Sequence, residues 1–243
     1  LNEEIFRNVR TNIQYMLEEG QNVIMFTSTI SGEGKSFIAS NLAASLAFME
    51  KKTVIVGLDI RRPGLHRIFG LDRKKDGITQ YLAASGHTDL LSLCQPTAVS
   101  PNLFVLPGGP VPPNPTELVA RPALADAIKI LKSHFDYVIL DTAPIGVVTD
   151  TQLIARAADL CVYICRADYT RKSEYDLIND LKKEKRMPRI CTLINGIDMD
   201  KRRNGYYYGY GKYGKYGKYG HGKKYGYGYG YGYGKEGRVS KSR

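Results

Sequence analysis

The stretch SGEGKS, Ser31 to Ser36, combines small, conformationally free and charged residues in an order suited to holding phosphate. Gly32 and Gly34 let successive backbone N–H groups turn inward around phosphate oxygens. A helix starting just after them adds the positive end of its dipole. Lys35 has the reach to neutralise the β- and γ-phosphates of a nucleotide, and the Ser36 hydroxyl is a ligand for Mg²⁺. The common pattern for such a loop, GxxxxGK[ST], asks for glycine or alanine at position 29, where this chain has Thr29. The departure leaves the physical centre intact, a GKS that follows an apolar run and opens a helical one.

Two further stretches end in acids. YVILDTAP places Asp141 directly after an apolar run, and TVIVGLDIRRPG places Asp59 after another, followed by Arg61 and Arg62. Either acid alone reads equally well as a helix cap or a solvated turn. Two acids at strand ends beside a phosphate loop read instead as a metal site of Ser36, Asp59 and Asp141, because ligands of parallel sheets bind at the C-terminal ends of strands.

The elements that must position these residues alternate along the chain. NEEIFRNVRTNIQYMLEEG has helical periodicity, with Ile5, Val9, Ile13 and Met16 able to share a face and Gly20 a plausible stop. QNVIMFTS, TVIVGL, NLFVLP, YVILDT, LCVYICR and RICTLIN read as buried strands. KSFIASNLAASLAFME, PTELVARPALADAIKILKSHF, TDTQLIARAAD and SEYDLINDLKKEKR read as helices. Apolar strands between amphipathic helices predict an α/β fold, a mostly parallel sheet covered by helices on both faces. PGGPVPPNPT, residues 107–116, is a proline-rich loop, read as a rigid connection rather than a docking motif because it leads straight into a helix.

The remaining composition narrows the function. The 243 residues carry a net charge of +11, and residues 201–243, with twelve Lys/Arg and one acid, account for all of the excess. The folded part is therefore neutral and offers no basic groove for nucleic acid. Four cysteines (Cys94, Cys161, Cys165, Cys191) show no paired CxxC spacing, as expected of reduced core thiols. The histidines are scattered, and no apolar stretch reaches the roughly 18–20 residues that span a bilayer. The chain begins with Leu1, so it reads as the excised cytoplasmic piece of something longer.

SGEGKS, LDIRRP, VILDTAP and PPNPTEL, with the opening EEIFRNVR and a tyrosine-rich end, together resemble the cytoplasmic domain of the bacterial protein-tyrosine kinases of exopolysaccharide and capsule export. The resemblance covers essentially the whole chain. It implies a phosphate-loop NTPase-type fold over residues 1–201 and autophosphorylation, in trans within a ring, on a tail at 202–243, with ATP and Mg²⁺. The nucleotide-binding set it implies is Ser31, Gly32, Glu33, Gly34, Lys35, Ser36, Phe37, Arg61 and Asn195. Lys35, Asp59 and Asp141 become the catalytic set. The ExxRxxR pattern maps to Glu4, Arg7 and Arg10, an oligomer interface by resemblance, although the spacing alone suits intrahelical pairs on a solvated face. The implied partners are further copies of the chain, a membrane activator segment, fused or separate, and a phosphotyrosine phosphatase. The implied location is the inner face of a bacterial inner membrane. One position departs from the pattern: the DxDxR motif falls on Gly57, Asp59 and Arg61, so its first acid is missing and Asp59 becomes the candidate base. Asn195 reads either as a contact to the adenine edge or as a turn residue with Gly196.

The tail supplies the acceptors: Tyr206, Tyr207, Tyr208, Tyr210, Tyr213, Tyr216, Tyr219, Tyr225, Tyr227, Tyr229, Tyr231 and Tyr233. Its Gly/Tyr/Lys composition predicts no packed core. A disordered segment of ~40 residues spans roughly 35 Å, about one domain diameter, so a neighbour's site is within range, and length alone does not separate it from the chain's own. Two other readings stay open. One is a partitioning-type ATPase switch without kinase activity. The other is a nucleic-acid or condensate module, since interleaved aromatics and cations can stack on bases and neutralise phosphates.

Overall fold

Strands rich in valine and isoleucine are stable only where both of their faces are covered. The computed structural model describes residues 2–72, 74–187 and 189–198, and it gathers seven strands into one sheet. The strands are β1 (Val23–Ser28), β2 (Thr53–Leu58), β3 (Gln95–Pro96), β4 (Leu103–Leu106), β5 (Tyr137–Thr142), β6 (Leu160–Arg166) and β7 (Ile190–Asn195). Their spatial order is β3-β4-β2-β5-β1-β6-β7, parallel throughout except for the short β3 against β4. The twelve tail tyrosines and the tail from residue 202 onward lie outside the described residues.

Alternation along each strand builds two cores. Ile24, Phe26, Ile55, Ile139 and Val162 point to one face, where α1 (Asn2–Met16), α2 (Lys35–Ala47) and α3 (Leu65–Phe69) cover them. Met25, Val54, Val56, Leu140 and Tyr163 point to the other. There they meet α4 (Ile78–Ala83), α5 (Pro115–Val119), α6 (Pro122–His134), α7 (Asp150–Ala155) and α8 (Lys172–Lys183). Only a period of two can serve both cores from one strand. Helix α2 is lined with alanine, leucine and serine and lies buried between the sheet and α1, which delivers Lys35 to the centre of the molecule.

The expected strands TVIVGL, YVILDT and LCVYICR match β2, β5 and β6 residue for residue. The long helix expected from Pro115 onward is instead two. Pro122 cannot donate to the preceding turn, so α5 stops at Val119 and Pro122 opens α6. In α1 the packed face carries Phe6, Val9 and Ile13, continued by Leu17 beyond the helix end, while Ile5 and Met16 face outward. Both sets have helical spacing, and contact with α2 selects between them. The short α3, α4 and β3 carry too little periodicity to be read from sequence. All four cysteines are free, as expected, and burial pushes each thiol upward.

The sheet order positions the site. The chain leaves β1 for β2 but skips a place, and β5 later fills it. The ends of β1, β5 and β2 therefore lie side by side, with Asp141 in register with Phe26 on one flank and Gly57 on the other.

Candidate active site at the ends of β1, β2 and β5

Between β1 and α2 the chain folds into a tight loop. Gly32 and Gly34 have φ of 90° and 92°, a region that only glycine adopts without strain. A Cβ on Gly34 would also lie 2.2 Å from Asn195 Nδ2 and one on Gly32 2.9 Å from the Tyr169 hydroxyl, so either would push aside a side chain that braces the loop. The loop carbonyls are held from outside. Tyr169 donates to the Ser31 oxygen at 3.0 Å, Arg166 to that of Gly32 at 3.1 Å, and Asn195 Nδ2 to that of Glu33 at 3.0 Å. Peptide planes with their carbonyls engaged outside turn their N–H groups toward the cleft.

The side chains that depart from expectation have physical reasons. Glu33 turns its carboxylate into the protein, where it accepts from the Ile30 N–H at 2.9 Å and from the Thr170 hydroxyl, so its backbone is what it offers a nucleotide. Thr29 is also buried and shares a 2.7 Å hydrogen bond with the Tyr163 phenol, which explains a hydroxyl where glycine or alanine is usual. Burial pushes the Tyr163 phenol up to about 12. Asn195, read as an adenine contact or a turn residue, braces the loop backbone through its amide.

Lys35 is the centre of charge. Its ammonium donates to Asp141 Oδ1 at 2.9 Å and to Ser36 Oγ at 3.2 Å, with both members of the ion pair buried. Asp59 lies close enough to feel the charges of both Lys35 and Asp141, and its backbone N–H donates to the Asp141 carbonyl at 3.0 Å. Burial pushes the Asp59 carboxyl above the ordinary carboxylate range, outweighing the opposing pull of Lys35. A buried carboxylate of that kind is a better proton acceptor than an exposed one. Hard oxygen donors thus converge on a cation, here an ammonium. Among the described residues no group of three His, Cys, Asp or Glu forms a complete metal nest. That donor set suits Mg²⁺, which takes one or two protein ligands and fills its octahedron with water and phosphate.

The loop, Asp59, Arg61 and Phe37 line one open cleft of about 800 Å³. Phe37 is half exposed there and meets Phe6 edge-on at 6.1 Å. Arg61 does reach this cleft, but it is bonded to Asp150 at 2.8 Å and to Thr116 at 2.7 Å. Burial alone would push the Asp150 carboxyl up, but hydrogen bonds from Arg61 and Thr116 and the Arg61 charge carry it below its usual value. Thr116 and Asp150 carry no signal in the sequence beyond a common helix start. On α1, Arg7 pairs with Glu3 at 2.6 Å rather than with Glu4, and Arg10 donates to Ser45 on α2 at 2.9 and 3.1 Å.

No family model matches the chain. Relatives do. The putative tyrosine-protein kinase CapB of Staphylococcus aureus is 34% identical over 86% of this chain and 90% of its own length. The tyrosine-protein kinase CpsD of Streptococcus agalactiae is 36% identical over the same shares. The chain belongs to the bacterial tyrosine-protein kinases. Other members are much longer: the chain spans 22% of the tyrosine-protein kinase wzc of Salmonella typhi. Among solved structures, the kinase domain of the Escherichia coli tyrosine kinase ETK superposes with a TM-score of 0.74 at 29% identity, covering 80% of this chain and 75% of that one. The chimerical protein CapA2B2 gives 0.73 at 32% identity, covering 80% and 84%. The Mg-ADP complex of the septum site-determining protein MinD from Pyrococcus horikoshii gives 0.59 at 19% identity, covering 72% and 70%, and shares the fold alone.

Proposed function

We propose that this kinase domain transfers the γ-phosphoryl group of ATP to tyrosines of its own C-terminal segment, in the presence of Mg²⁺. The observation that carries this reading is the convergence of Lys35, Ser36, Asp59 and Asp141 at three adjacent strand ends, beside a loop that turns its N–H groups inward. In this assignment residues 1–201 form the catalytic domain and residues 202–243 the acceptor segment. Loop N–H groups and Lys35 hold the phosphates and balance the charge that builds as the phosphoryl group moves. Ser36, Asp59 and Asp141 would hold Mg²⁺, which supplies electrostatic stabilisation of the β- and γ-phosphates. The acceptor tyrosine oxygen forms its bond to the γ-phosphorus, the bond to ADP breaks, and the phenolic proton passes to Asp59. Asp59 suits that role because burial favours its protonated form.

The acceptor enters in trans, from a neighbouring copy in a ring that uses Glu4, Arg7 and Arg10 as contacts. The engagement of Arg10 with Ser45 within the chain leaves Glu4 and Arg7 as the outward members of that stripe. The biological role that fits is control of polysaccharide polymerisation and export at a bacterial inner membrane. An activator segment, fused or separate, and a phosphatase would complete the system. The longer wzc relative and the chimerical CapA2B2 neighbour both suit an added segment. No helix among the described residues is long and apolar enough to cross a membrane.

Intact mass spectrometry after incubation with ATP and Mg²⁺ tests the reading. The wild type is expected to gain several phosphates within residues 206–233, and Lys35→Met none. Steady ATP hydrolysis without protein labelling would instead make the chain a nucleotide switch.

A further inference from the structure

The proline-rich PPNPTEL loop has no part in the chemistry above, yet it sends one side chain to Arg61, which lines the cleft. Thr116, at the start of α5, donates its hydroxyl to Asp150 Oδ1 at 2.7 Å and accepts from Arg61 Nη2 at 2.7 Å. Asp150 closes the triangle by accepting from Arg61 Nε at 2.8 Å. Three segments far apart in sequence meet here: the turn after β2, the proline-rich loop and the first turn of α7. Asp150 is 3% exposed, and a carboxylate so placed is retained only with firm partners. Pro115, in the first turn of α5, limits the backbone freedom with which Thr116 is delivered.

The triangle uses one edge of the Arg61 guanidinium. Nη1 makes no hydrogen bond among the described residues, and Arg61 lines the same cleft as Lys35, Ser36 and Asp59, whose charge it feels. A guanidinium fixed along one edge presents the other in a set direction, which a free arginine does only at an entropic cost. We infer that Thr116 and Asp150 are positioning residues that hold Arg61 to read the terminal phosphoryl group of the nucleotide, so that the site discriminates ATP from ADP. This rests on the nucleotide-binding reading above, and it explains why a threonine stands at the end of the proline run. A valine of the same shape can neither donate to Asp150 nor accept from Arg61.

The test is binding of ADP and of a non-hydrolysable ATP analogue to the full chain, with Mg²⁺, by calorimetry. Thr116→Val and Arg61→Ala are each expected to lower the analogue-to-ADP affinity ratio about tenfold, the scale of one charge-assisted hydrogen bond. Thr116→Ser should keep the wild-type ratio, and the Thr116→Val/Arg61→Ala double variant should lose no more than either single one. A purely structural triangle predicts something else: a lower Tm with both affinities reduced alike and the ratio unchanged. That outcome, or an Arg61→Ala ratio equal to that of the wild type, overturns the inference. Phosphotyrosine formation is measured separately, so loss of this discrimination and failure of the kinase reading can be told apart.

Discussion

Asp59, the proposed proton acceptor, would trade stability for chemistry. Burial disfavours its ionised form, so folding at neutral pH carries a carboxylate that water would hold more comfortably. The folded state binds this proton more tightly than the unfolded one. The wild type therefore loses stability as pH rises from the ordinary carboxylate range through the raised folded value, and levels off above it. Asp59→Asn removes that loss. Thermal melts are expected to give the variant a higher Tm than wild type at pH 7, with the gap closing below about pH 4 as the native carboxyl protonates. Phosphotyrosine formation by the same variant should fall about a hundredfold or more, the usual scale for a lost general base. A variant equally stable and fully active at pH 7 would return Asp59 to the role of a turn acid.

Elements decide what single residues can do, and the end of β2 is the clearest case. Position 57 carries glycine where the related motif has an acid. A Cβ there would lie 3.0 Å from the Gly108 nitrogen and 3.4 Å from Leu65. The turn at Pro107–Gly109 lies directly over it, and its carbonyls accept from the first N–H groups of α4, Ile78 to Pro107 at 2.9 Å and Thr79 to Gly108 at 3.2 Å. On its far side the turn touches Gly77, where a Cβ would stand 2.1 Å from the Pro107 oxygen. Strand end, turn and helix start are thus closed on one another through small residues. Restoring the acid with Gly57→Asp should push the turn outward and destabilise the fold by about 1–3 kcal/mol, as overpacking does. A lower denaturation midpoint by circular dichroism with no gain in activity is the expected result. A stable and faster kinase would show that the turn yields and that the glycine is what limits the chemistry.

At the scale of the whole molecule, charge is divided between residues 1–200, which are neutral, and residues 201–243, which hold the entire excess of +11. Each phosphotyrosine adds about −1.5 to −2 charges, so twelve would carry the segment from +11 to roughly −7 to −13. An assembly held in part by a cationic segment on acidic surfaces should then loosen. Sedimentation velocity of the fully phosphorylated chain is expected to show a smaller species than the unmodified one, and identical profiles would remove the tail from assembly. By itself the sequence determined much. Apolar runs of one period and amphipathic runs of another specify an α/β sheet, because each local pattern suits one element and one kind of burial. SGEGKS specified its own chemistry, because a phosphate loop is built from consecutive residues whose glycines and lysine act through the backbone that joins them. Asp59 and Asp141 were legible as strand-end acids for the same reason. Only the tertiary structure decided which strands are neighbours, and it was the place of β5 between β1 and β2 that brought Asp141 to Lys35. The Arg61–Thr116–Asp150 triangle and the braces from Tyr169, Arg166 and Asn195 were likewise out of reach. Their partners lie 34 to 162 residues apart, and a hydrogen bond across such a distance leaves no period, spacing or composition along the chain.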